Sequence, residues 1–202
     1  MSGPGSVGAV VLAAGESRRV GEQKLLLPFA ASTVIGSVMA ALTEAGADPI
    51  VVVAGAHADE IERVLTGTRA QVVRNPDPQR GMLSSLQVGV QALPAGVSRF
   101  LVALGDQPRL RSADVTRVLD EQTGVGKGIA IACYQGKRGH PVAFDRKYRD
   151  GILALTDTQT LRELIHAHPD DVVNVECESD GVIRDIDTRE DYEVERRRAE
   201  AE

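Results

Sequence analysis

The sequence contains no tryptophan and only three phenylalanines and three tyrosines, so it offers no aromatic platform on which single-stranded nucleic-acid bases could stack. It also lacks an excess of positive charge, with 23 basic against 29 acidic residues and a formal net charge of −6. A general nucleic-acid or membrane-surface binder needs a basic face to neutralise phosphates, so any phosphate bound here should be local and small. Cysteine is scarce: Cys133 and Cys177 lie in apolar strand-like runs without C-x-x-C spacing. They read as reduced core residues rather than a disulfide or metal site, which points to a cytoplasmic protein. The N-terminal M-S-G-P-G-S has no charged region, and the apolar run behind it is too short for a bilayer span or a cleaved leader. Residues 1–6 are expected to be disordered. With no linker, composition shift or internal repeat in view, residues 1–202 are expected to form a single domain.

Two familiar glycine loops are missing as well. The stretch from Val10 to Lys24 reads V-V-L-A-A-G-E-S-R-R-V-G-E-Q-K. Gly15 is followed by Glu16 and Ser17, not by the spacing of a dinucleotide fingerprint, and Gly21 is followed by Glu22 rather than by the Lys-Ser/Thr close of a P-loop. What is there has phosphate-binding chemistry of its own. The continuous apolar run from Val7 to Ala14 suits a strand buried on both faces, and it breaks at Gly15. Backbone N–H groups, the Ser17 hydroxyl and the cations of Arg18, Arg19 and Lys24 then gather where the strand's C-terminal end meets a crevice.

The rest of the chain alternates strands and helices. Thr33 can cap a helix whose apolar positions Val34, Ile35, Val38, Met39 and Leu42 share one face, with Gly46 at its end. Ile50 to Ala54 reads as a strand, Asp59 to Leu65 as a helix and Ala70 to Val73 as a strand. Pro76 and Pro78 make 77–81 a loop. The helix that Gly81-Met82-Leu83-Ser84-Ser85-Leu86 then opens places two hydroxyls at a positive helix end, either as ordinary serine caps or as ligand contacts. Phe100 to Leu104 is a buried strand ending in Gly105-Asp106-Gln107-Pro108. A carboxylate there points at the same crevice as Gly15, because open α/β sheets place ligands at strand C-termini. Ser112 is the expected cap of the next helix, over Val115 to Leu119. Beyond a glycine-rich loop at 124–128 come a strand from Ile129 to Tyr134, a turn at 135–141 and a short run from Val142 to Phe144. His140, beside a proline, reads as structural, and His166 and His168 lack the spacing of a metal pair. Helices at 146–155 and 161–168 precede strands at 172–177 and 182–186, and a charged helix ends the chain over 193–202. Thr188 and Asp191 form a capping pair, while Asp187 has no comparable structural duty.

In this order L-A-A-G-E-S-R-R-V-G-E-Q-K, G-M-L-S-S-L-Q-V-G, G-D-Q-P and D-I-D-T-R-E-D-Y resemble the motifs of the MobA-like nucleotidyltransferases, and most closely those of the molybdenum cofactor cytidylyltransferases. A K-R-G-H-P-V loop of the same type stands at Lys137 to Val142. The resemblance implies an α/β fold, a Rossmann-like three-layer αβα sandwich with a mostly parallel central sheet of the nucleotide-diphospho-sugar transferase type. It further implies Mg²⁺-dependent transfer of a nucleotidyl group to a phosphorylated acceptor, with pyrophosphate released. Leu12, Ala13, Ala14, Gly15, Ser17, Gly81, Met82 and Ser85 would hold the nucleotide. Arg19, Lys24 and Asp106 would be catalytic as well as nucleotide-binding, and Asp106 and Asp187 would hold Mg²⁺. Gln107, Arg138, Gly139 and His140 would face the acceptor, a pterin-type phosphate, whose product a molybdoenzyme or chaperone could receive. Ala14 is similar to the cytidylyl form of the loop, whereas the guanylyl form carries glycine there, so CTP is favoured over GTP. The chain departs from the family pattern at Val20, Pro78 and Arg189, where methionine, an aromatic residue and proline are usual. Two alternatives remain: a guanylyltransferase of the same superfamily, acting on molybdopterin or a phospholactate-type acceptor, and a non-catalytic nucleotide-binding module.

Overall fold

The computed structural model describes residues 6–15 and 23–201. A seven-stranded sheet runs β5-β4-β1-β6-β8-β7-β9, with β1 Val7–Ala13, β4 Ile50–Ala54, β5 Gln71–Arg74, β6 Arg99–Leu104, β7 Ile129–Tyr134, β8 Lys137–Asp145 and β9 Val172–Glu176. Only β8 runs antiparallel to its neighbours β6 and β7; the other pairings are parallel. A two-residue ribbon, β2 Pro28–Phe29 with β3 Ser32–Thr33, precedes the first helix.

Helices cover both faces because the central strands are apolar on both. In β1, Ala9, Val11 and Ala13 join a core formed with α1 (Val34–Glu44), α2 (Ala58–Val64) and α4 (Ser112–Gly124). The alternate Val10 packs on the other side, against α3 (Met82–Ala92), α5 (Arg149–Leu153) and α6 (Leu161–His166). This is the three-layer αβα arrangement that two-faced apolar strands require. Burial of each such valine contributes about 1.5–3 kcal/mol, so β1 and β4 are anchored rigidly and their C-terminal ends are fixed points for a site. The final helix, α7 (Arg189–Glu200), packs Tyr192 into the first core and ties its hydroxyl to the Pro28 carbonyl at 2.7 Å.

Several local expectations need correction. Ser112 is the first residue of α4, not its cap; Arg111 stands at the N-cap without a side-chain hydrogen bond. The stretch 135–141 is not a loop. Gln135 and Gly136, at φ 49° and 76°, make a two-residue turn, the conformation that joins antiparallel strands, and β8 begins directly at Lys137. Pro141 is accommodated where the β7–β8 register slips between Ile131 and Cys133, the kind of irregularity in which a strand tolerates proline. Residues 182–186 are not a strand. Asp180–Ile183 winds into a 3₁₀ turn, with the Ser179 hydroxyl accepting from the Gly181 N–H at 3.0 Å. The capping box of Thr188 and Asp191 is present at the start of α7, so the terminal helix begins four residues earlier than residue 193. Ser6, expected to be disordered, is hydrogen-bonded to Ser98; residues 1–5 lie outside the described residues. Cys133 and Cys177 are free and buried, and burial pushes the Cys177 thiol up to about 12. No helix among the described residues is long and apolar enough to cross a membrane.

Candidate functional site

A pocket of about 510 Å³ opens at the C-terminal ends of β1 and β6, lined by Leu12, Ala14, Gly15 and Leu104, by Pro78, Gln79, Gly81, Met82 and Ser85, and by Asp106, Asp185 and Asp187. Three segments build it. The end of β1 supplies an apolar floor and then free backbone at Ala14 and Gly15, where strand pairing has ended. The start of α3 supplies a helix N-terminus whose N-cap, Gly81 at φ 93°, contributes no side-chain cap. Backbone N–H groups therefore remain at its positive end, as anion binding requires. The turn after β6 and the segment before α7 supply the carboxylates.

The serines settle their own ambiguity. Neither caps α3 in the ordinary way: Asn75 Nδ2 donates to both Ser84 Oγ and Ser85 Oγ at 2.9 Å, and Ser84 Oγ in turn donates to the Gly81 carbonyl at 2.9 Å. Ser85 lines the pocket, and Ser84 braces the loop behind it. Asn75 went unnoticed in the sequence; its place between a β-branched strand and a proline was the available signal.

Lys24 joins the two carboxylate segments. Its ammonium donates to Asp106 Oδ2 and to the Ile186 carbonyl, each at 2.6 Å, and lies 3.8 Å from Asp187 Oδ1. The Ile186 N–H donates back to the Asp106 carbonyl at 3.0 Å. One cation thus sits between Asp106 and Asp187. Asp185, which opens the D-I-D-T-R-E-D-Y motif without an expected role, is the third carboxylate. Burial raises its pKa above the usual value, and the charges of Asp106 and Asp187 push the same way while Lys24 opposes them. Among the described residues no group of three or more His, Cys, Asp or Glu side chains could by itself hold a metal ion.

The expected site residues divide accordingly. Leu12, Ala14, Gly15, Gly81, Met82, Ser85, Asp106 and Asp187 meet at the pocket, and Lys24 bridges it. The Ala13 side chain points into the core on the opposite face of β1. Ser17 and Arg19 lie outside the described residues. The four acceptor-side residues do not line the pocket. Gln107 is buried, with its amide nitrogen 3.5 Å from the Val182 carbonyl. Arg138 donates to Asn174 at 2.8 Å on the sheet's far edge. Gly139 approaches the 3₁₀ turn so closely that a Cβ would meet the Val182 oxygen at 1.9 Å, and its lack of a side chain is a packing requirement. Burial lowers the His140 pKa to about 4, opposed by the charge of Asp185.

Residues 9–172 match the model of the MobA-like NTP transferase domain. Two curated relatives align over nearly their full lengths. The chain is 26% identical to the molybdenum cofactor cytidylyltransferase of Escherichia coli (93% of this chain, 94% of that one). It is 30% identical to the nicotine blue oxidoreductase of Paenarthrobacter nicotinovorans (91% and 93%). Among solved structures, a nucleotidyl transferase from Methanothermobacter thermautotroptrophicus superposes with a TM-score of 0.83 at 28% identity, covering 97% of this chain and 98% of that one. A manganese complex of Rv0371C from Mycobacterium tuberculosis gives 0.76 at 27%, covering 95% and 98%. With a carboxylate-lined crevice at the strand ends of a mostly parallel sheet, the chain is a nucleotidyltransferase. It belongs to the MobA-like NTP transferase family, close to its molybdenum cofactor cytidylyltransferase members.

Proposed function

We infer that the protein transfers CMP from CTP to a phosphorylated pterin acceptor of the molybdenum cofactor type, releasing pyrophosphate. The observation that carries this reading is the convergence of Asp106 and Asp187 on one cation, the Lys24 ammonium, at the mouth of a pocket with an apolar wall and a helix N-terminus. The apolar side chains of Leu12, Leu104 and Met82 suit a base, and the N–H groups of α3 suit phosphate oxygens.

The same donor set fits Mg²⁺. Two carboxylates already gathered about one positive charge provide hard oxygen ligands, fewer than a complete shell, and Mg²⁺ is held by one or two carboxylates with substrate phosphates and water supplying the rest. Asp106 and Asp187 would hold it, and its charge would offset that of the triphosphate. The manganese complex of the mycobacterial relative supports a divalent ion in this family.

In the proposed reaction an oxygen of the acceptor phosphate attacks the α-phosphorus of CTP. The bond from that phosphorus to the bridging oxygen breaks, and pyrophosphate leaves with the electron pair. Phosphoryl-type transfer depends mostly on positioning and on cations placed where charge builds. Lys24 takes that role, and the motif assigns it to Arg19 as well. Ala14 lines the pocket and sets the base preference, since a Cβ there would narrow the space for a two-ring purine.

The test is pyrophosphate release on mixing the protein with CTP or GTP, Mg²⁺ and molybdopterin. Acceptor-dependent release with CTP supports the reading. Oxidation or reduction of nicotine blue without nucleoside triphosphate turnover, the activity in the name of the second curated relative, would overturn it.

A further inference from the structure

We propose that the buried ion cluster of Arg109, Asp180 and Glu195 is a positioning device that sets the separation of Asp106 and Asp187, and with it the metal requirement of the site; this rests on the function proposed above. Arg109 stands three residues beyond Asp106, on the turn that leaves β6. Its side chain, 8% exposed, reaches Asp180 at 3.0 Å and Glu195 at 3.3 Å. Asp180 belongs to the 3₁₀ turn that leads into Asp185 and Asp187, and Glu195 to α7, which follows them. The cluster therefore spans the three segments that carry or flank the pocket carboxylates. It lies behind the pocket and contributes nothing to its lining.

Two more arginines join the cluster. Arg184 pairs with Asp180 at 3.1 Å and Glu195 at 3.5 Å, and Arg198 with the same two at 2.9 and 3.6 Å. Three guanidinium groups thus share two carboxylates. Buried ion pairs give little net stability over apolar packing, because desolvation offsets their attraction. What they impose is geometry, since each charge is costly unless its partners stay in place. The backbone is fitted to the same end: a Cβ on Gly181 would meet the Arg109 carbonyl oxygen at 2.1 Å, so the 3₁₀ turn is pressed directly onto the turn after β6. Arg109 makes both contacts from a single terminal nitrogen, Nη1; lysine keeps the charge, but its shorter side chain holds an ammonium short of that point.

The experiment titrates Mn²⁺ against the protein with CTP present, by electron paramagnetic resonance. It is paired with metal-dependent pyrophosphate release and thermal unfolding, for wild type, Arg109→Lys, Asp180→Asn and Asp180→Glu. Groups that orient metal ligands typically change metal affinity by about 10–100-fold when altered. Arg109→Lys and Asp180→Asn should therefore weaken Mn²⁺ binding by about tenfold or more and raise the metal concentration for half-maximal rate equally. The rate at saturating metal should stay within about twofold, and Asp180→Glu should restore part of the affinity. Arg184→Gln, at the exposed edge of the cluster, is the milder variant should the others fail to fold, with a few-fold loss expected. Arg117→Gln, which breaks the exposed pair with Glu178, is the control and should change nothing. Lowered thermal stability with unaltered metal affinity in every folded variant would overturn the proposal, leaving the function untouched. Absence of metal and nucleotide binding in wild type would overturn both.

Discussion

Replacing Lys24 by alanine removes the cation that ties the turn after β6 to the segment before α7. The lysine side chain is 12% exposed, with Asp106 at 2.6 Å and Asp187 at 3.8 Å. At about 4 Å and an effective dielectric near 20, one such attraction is about 4 kcal/mol before desolvation is subtracted. Exposed pairs net about 0–1 kcal/mol, whereas breaking a fully buried pair costs about 3–5 kcal/mol. Asp187 is half exposed, so the loss should fall between these limits, at about 2 kcal/mol, or about 4–8 °C in unfolding midpoint for a chain of this size. Asp106, Asp185 and Asp187 then face one another without that ammonium. Mg²⁺ should accordingly raise the midpoint of Lys24→Ala more than that of wild type. In steady-state assays with CTP, kcat should fall by about 10²–10³ if the ammonium acts on transition-state charge. The reasoning is refuted if kcat at saturation is unchanged and only KM rises, because Lys24 would then bind ground and transition states alike. It is also refuted if Mg²⁺ stabilises the variant no more than wild type.

Further outcomes are equally specific. Asp106→Asn keeps an oxygen to accept from Lys24 but loses a ligand charge, so turnover should drop to a small residue with the circular dichroism spectrum unchanged; full activity would remove Asp106 from the metal site. Ala14→Gly opens the pocket wall and should raise the kcat/KM ratio of GTP to CTP, by an amount within the roughly 1–3 kcal/mol that shape selection supplies; an unchanged ratio would leave the base preference to other residues. His140 has a folded-state pKa of about 4 against an ordinary 6.5, so the unfolded chain takes up its proton first as the pH drops. Its contribution to stability is complete above pH 6.5 and is lost as the pH falls from 6.5 toward about 4. The urea midpoint of wild type should decline over that window more than that of His140→Gln, and parallel curves would contradict the assignment.

The layered fold was legible because β1, β4, β6 and β7 are continuous apolar runs and the helices between them have one apolar face each. Where local pattern competed with tertiary contact, the pattern misled. Val182 to Ile186 has the composition of a strand, yet the pull of three arginines on Asp180 and the contact of Gly181 with Arg109 wind its first half into a 3₁₀ turn. Lys137 to Pro141 looked like a loop because glycine and proline interrupt it, and pairing with β7 overrode them. The pocket residues at strand and helix ends were foreseeable from position. Asp185 was not, although it stands two residues before Asp187 in the same motif, because what marks it is its burial beside the charges of Asp106 and Asp187. Gln107 and Gly139 were drawn into the acceptor side by motif alone, while the structure gives both a packing duty against Val182.

The central claim, that this pocket moves a cytidylyl group, is tested most directly by incubating the protein with α-labelled CTP, Mg²⁺ and molybdopterin, and following the label. The account predicts label appearing on the pterin phosphate with one pyrophosphate released per transfer, loss of both in Asp106→Asn, and slower transfer when GTP replaces CTP. Label remaining in CTP while the acceptor is unmodified, or faster transfer from GTP than from CTP at equal concentration, would contradict it.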